Sequence, residues 1–155
     1  MSENPPRKSA AYIEAMIREA VAHVESCIHS PLREAGFDGP ATTLVLSDTQ
    51  HDFLAGYIYG ALRRLLELGE IDEATDVERA AYRLYEQIVG RGETEVHPWH
   101  VWVVNEGLKQ LNRPHVFLGF CAGRNDIVQR LRRSNFRSAL GPALLNLAGH
   151  NGSLP

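Results

Sequence analysis

The sequence predicts a mainly α fold, a compact bundle of five to six helices with room for a minor two-stranded β element. Three observations predict it. Apolar residues recur at three- and four-residue steps in successive stretches. Capping patterns stand ahead of two of those stretches, and Gly or Pro marks their ends. The 155 residues, 44% hydrophobic and 23% charged, suit one globular domain large enough to bury a core.

Residues 1–8, with Pro5 and Pro6, read as a flexible leader, residues 9–149 as a single helical domain, and residues 150–155 as a flexible tail. The first helix is expected from about Ser9 to His29. Ile13, Ile17, Val21, Val24 and Ile28 share one face, and Pro31 is expected to stop it. Ser47 and Gln50 form a capping-box pattern for the second helix, which Gly69 closes. Its apolar arc is wide, and the strip left over holds Gly56, Gly60, Arg63 and Glu67. Each mid-helix glycine costs about 1 kcal/mol against alanine, so a second helix backbone is expected to approach there, from this chain or from a partner.

Thr75 and Glu78 repeat the capping pattern for a third helix near residues 76–89. Pro98 suits the first position of a fourth, reaching Asn112 before Pro114. The runs at residues 43–46 and 116–121 are the candidate strands. A fifth helix is expected from about Asn125, and Pro142 opens a short apolar helix closed by Gly149.

Charge is unevenly placed. Residues 1–95 hold nine Lys/Arg against seventeen Asp/Glu, while residues 96–155 hold seven against two. The two halves can attract each other within one fold, or the basic half can face an anionic partner. Arg124, Arg130, Arg132, Arg133 and Arg137 are the candidate anion-binding set. Laid out on a helix, Arg130, Arg133 and Arg137 fall opposite Ile127, Val128 and Leu131, as on an ordinary amphipathic surface helix.

No run is long and apolar enough for a membrane span, and the polar start lacks the apolar core of a secretory signal. The expectation is therefore a cytoplasmic protein with no membrane partner and with Cys27 and Cys121 reduced. Cys121, among Phe117, Leu118 and Phe120, is expected to be a buried inert thiol. The orders GxxxxGK[ST], GxGxxG, HExxH and GxSxG are absent.

His51, Asp52, His97 and His100 are the candidate metal ligands, because two imidazoles three apart need at least a third ligand to hold an ion. The His51-Asp52 pair resembles that of the all-helical HD phosphohydrolases, whose metal ligands are a His, a His-Asp pair and a later Asp. That resemblance covers those few residues only and implies His29 and Asp126 as outer ligands. The first expectation for function is a non-enzymatic interaction or regulatory protein without a cofactor, binding itself or another protein through a helix face. The alternatives are a hydrolase that uses a divalent metal and a protein that binds nucleic acid or another polyanion.

Overall fold

A computed structural model describes residues 8–34, 47–71, 73–89, 114–132 and 137–149. These contain five helices: α1 (Ala10–Glu34), α2 (Asp48–Leu68), α3 (Ala74–Val89), α4 (Pro114–Arg132) and α5 (Leu140–Gly149). The expected helix at residues 98–112 and the candidate strand at residues 43–46 lie outside the described residues.

Ser9 starts α1, its hydroxyl accepting from the Tyr12 backbone N–H at 3.1 Å. The helix buries Ile13, Ile17, Val21, Val24 and Ile28 as their spacing requires. Pro31 does not stop it. The apolar stripe runs on through Pro31 and Leu32, both buried, and burying a leucine contributes about 2 kcal/mol. That gain offsets much of the proline's cost, which is smallest where only one turn of helix remains.

α2 is the central element, with every residue from Phe53 to Leu62 buried. Its capping box forms as expected: Ser47 Oγ accepts from Gln50 N–H at 3.1 Å, and Gln50 Oε1 accepts from Ser47 N–H at 2.9 Å. The far end is a Schellman turn. Ile71 N–H donates to the Leu66 carbonyl at 2.8 Å and Glu70 N–H to that of Glu67 at 2.9 Å. The left-handed residue of this turn is Glu70, at φ 64°, and not Gly69, at φ −91°.

α3 starts two residues earlier than expected, with the Glu73 carbonyl accepting from the N–H groups of Asp76 and Val77. Thr75 is therefore inside the first turn and is not the cap. α1, α2 and α3 pack on one another, and α5 lies across α1 and α2 with Leu140 and Leu144 fully buried.

Residues 116–121 are helical, not a strand. Pro114 begins α4 as its first residue, where the missing N–H is not needed. Val116, Gly119, Gly123 and Ile127 then fall on one buried face. A short apolar run has no periodicity of its own to separate strand from helix, and the glycines that suggest a break are contact residues. No helix among the described residues is long and apolar enough to cross a membrane.

Candidate functional site

The glycine strip of α2 meets a second glycine pair on α4. A Cβ placed on Gly56 would lie 2.1 Å from the Val116 carbonyl oxygen, and one on Gly60 would lie 2.2 Å from that of Phe120. In return, Cβ atoms on Gly119 and Gly123 would each lie 2.1 Å from the carbonyl oxygens of Phe53 and Tyr57. Residue numbers rise together along both helices, so α2 and α4 run parallel. At each of the four places a glycine hydrogen faces a carbonyl, a Cα–H···O geometry that contributes about 0.5–1 kcal/mol apiece. The helix expected against Gly56 and Gly60 belongs to the same chain. Its signal was present in the sequence, because Gly119 and Gly123 repeat the four-residue spacing of Gly56 and Gly60.

Arg63 and Glu67 continue that strip. Glu67 receives both arms of Arg124 from α4, at 3.1 and 3.2 Å, with Arg63 and Arg64 beside it at 3.4 and 3.3 Å. Hydrogen bonding from Arg124 holds the Glu67 carboxyl below the usual glutamate range, against the opposing effect of burial. Phe120 lies under the guanidiniums of Arg124 and Arg63, at 5.5 and 6.0 Å from its ring centre. Arg124, one of the candidate anion-binding residues, is thus spent on an ion pair between the acidic and basic halves of the chain.

Sequence reasoning missed a buried polar centre next to this crossing. Asp126 Oδ2 accepts from the Tyr57 hydroxyl at 2.6 Å, the Ser138 hydroxyl at 2.8 Å and the Ala139 N–H at 2.9 Å. Ser138 Oγ in turn accepts from Leu140 N–H at 3.0 Å. The carboxylate of α4 therefore caps α5 and ties it to α2. Burial foremost, then the Asp126 charge, pushes the Tyr57 phenol far above its ordinary value, so it stays a donor. Burial likewise pushes up the nearby Cys27 thiol. The space between these groups is about 10 Å³, room for at most one water. This centre fastens α2, α4 and the start of α5 to one another.

The candidate metal ligands are not brought together among the described residues. His51 is buried and its Nδ1 is hydrogen-bonded to the Tyr85 hydroxyl, joining α2 to α3. Asp52 is half-buried, while His97 and His100 lie outside the described residues. His29 is exposed beside Glu25, and Asp126 is occupied as described. Among the described residues no group of three or more His, Cys, Asp or Glu is placed to hold a metal ion.

Of the other candidate arginines, Arg130, Arg132 and Arg137 are exposed, and Arg133 lies outside the described residues. The cysteine expectation is reversed in part: Cys121 is exposed and Cys27 is the buried thiol. Cys121 points away from α2 because the face it would need is taken by Gly119 and Gly123. On that outward face Phe117 and Leu118 remain 43% and 54% exposed. Comparison of the chain with known protein families, with curated proteins and with solved structures gives no match.

Proposed function

We propose that this chain is a non-enzymatic interaction protein that self-associates through the outer face of α4. The observation that carries the reading is the pair Phe117 and Leu118, exposed side by side opposite the glycine face. The outward positions Pro114, Phe117, Leu118, Cys121 and Asn125 bear no charge and are all exposed. An uncharged apolar face can meet its own copy across a two-fold axis without like-charge repulsion. The glycine strip of α2 is not the proposed surface, since α4 of the same chain fills it. Chemistry in the buried centres is disfavoured because Asp126 and His51 are engaged in joining helices.

Light scattering on the untagged full chain across a concentration series tests the reading. The expected result is a dimer that dissociates on dilution, and a folded monomer at all concentrations in the Phe117→Asp, Leu118→Asp double variant. A wild type that is monomeric throughout, or a dimer that the double variant leaves intact, would overturn it.

A further inference from the structure

Glu67 is shared more widely than an ion pair needs. Arg124 alone offers it two N–H groups, at 3.1 and 3.2 Å, and neutralises it across the α2–α4 crossing. Arg63 and Arg64 reach the same carboxylate as well, at 3.4 and 3.3 Å. Among the described residues no second carboxylate comes within ion-pair distance of the three. Glu78 of α3 is felt by the neighbouring Tyr59 phenol but pairs with none of them. Three guanidiniums against one carboxylate leave two positive charges in one place.

Local attraction accounts for Arg63 or Arg64 alone, as a pair within one helix. It does not account for all three arginines, because like charges gathered on one carboxylate repel one another. Their side chains are within reach of solvent, 45%, 36% and 31% exposed for Arg63, Arg64 and Arg124. They are also held in place: Arg63 and Arg124 both stand over the Phe120 ring, which packs beside Tyr59 at 5.9 Å between ring centres. Arg63 Nε and Arg124 Nη1 meet the same Glu67 oxygen, which puts the two guanidiniums within the span of one tetrahedral oxyanion. A guanidinium carries five N–H donors, and Glu67 takes one or two from each, so donors remain on every arginine.

Charge selects the ligand. A carboxylate would offset one of the two charges, whereas a phosphate monoester carries about −1.5 to −2 at neutral pH and offsets both. A nucleic-acid backbone carries its charges singly in a row and calls for a basic stripe. The ring at this cluster, Phe120, already lies under guanidiniums where a base would stack.

We propose that Arg63, Arg64 and Arg124 together bind a phosphate monoester group, with Glu67 holding the three arginines in position. That chemistry is common to a free phosphate compound and to a phosphorylated side chain of another protein. The site is independent of self-association through the outer face of α4.

The test is isothermal titration calorimetry of the full chain at constant ionic strength. Inorganic phosphate, a phosphoserine peptide of otherwise neutral sequence and single-stranded RNA are the probes. Phosphate is expected to bind, and the Arg63→Gln, Arg64→Gln double variant to lose about tenfold in affinity. Circular dichroism checks that the variant folds. Affinity is also expected to fall from about pH 7 to about pH 5, as the phosphate takes up its second proton. A phosphopeptide bound more tightly than phosphate assigns the group to another protein, and equal affinities assign it to a free phosphate compound. No binding of either would overturn the proposal, as would binding that the double variant leaves unchanged. RNA bound more tightly than both would overturn it in favour of a nucleic acid.

Discussion

Gly60 of α2 stands against the carbonyl oxygen of Phe120 in α4 so closely that a Cβ would come within 2.2 Å of it. Helix propensity predicts that alanine at this position stabilises by about 1 kcal/mol. The crossing predicts the opposite sign, since neither backbone can yield without moving a helix. Alanine at Gly56, Gly60, Gly119 or Gly123 is expected to destabilise by about 1–3 kcal/mol in urea unfolding. Gly69 is the control: its nearest neighbour is the Met16 methyl, the end of a flexible side chain, and alanine there is expected to be nearly neutral. A stabilised Gly60→Ala protein would show that the helices do not cross this way.

Glu70 holds the left-handed position of the turn between α2 and α3, where glycine is the preferred residue. Its carboxylate pairs with Lys8 on the surface at 2.9 Å, a contact of small effect. Glu70→Gly is therefore expected to raise the melting temperature by about 2–4 °C, read by scanning calorimetry. A fall would mean that the Lys8 pair outweighs the backbone preference.

Three donors converge on Asp126 Oδ2, and two of them belong to the start of α5. Tyr57→Phe removes one donor and is expected to cost about 1–2 kcal/mol; Asp126→Ala strands all three and is expected to cost about 3–5 kcal/mol. Hydrogen exchange checks the location of the effect. In Asp126→Ala the amides of residues 140–147 should lose protection first, because a ten-residue helix is too short to persist undocked. Uniform loss across all helices would contradict the capping role.

Glu67 gives a pH signature. Its carboxyl titrates below the ordinary glutamate value of about 4.3, chiefly because Arg124 hydrogen-bonds it. The stabilisation is complete above that ordinary value and is lost as pH falls through the lower folded value. The melting temperature of Glu67→Gln should therefore lie below wild type at pH 7, and the gap should close in strong acid. A gap independent of pH would assign the effect to shape and not to charge.

The two thiols should differ in reactivity. Cys121 is exposed and Cys27 is buried with its thiol pushed up by burial. One thiol is expected to react promptly with a disulfide reagent under native conditions, and Cys121→Ser should abolish that phase. The second should react only on unfolding.

Much of the fold was legible in the sequence. The stripes of α1, α2 and α3 and the Ser47–Gln50 box follow from local spacing, and the structure bears them out. The misreadings share one cause, which is that local signals were outweighed by packing. Pro31 stays helical because Leu32 beyond it is buried. Residues 116–121 are helical because Gly119 and Gly123 fit against α2. Gly69 does close α2 as expected, and the left-handed position falls one residue later, on Glu70. The Asp126 centre could not be read, because its members are separated by 69 and 12 residues and share no motif.

Native mass spectrometry of wild type, Gly60→Ala and the Phe117→Asp, Leu118→Asp double variant tests the central claim most directly. That claim is that the glycine strip is used within the chain and the outer face of α4 between chains. The account predicts a dimeric wild type, a less stable Gly60→Ala protein with an unchanged mass distribution, and a folded monomeric double variant. A Gly60→Ala protein of full stability that no longer assembles would contradict it, placing the strip between chains.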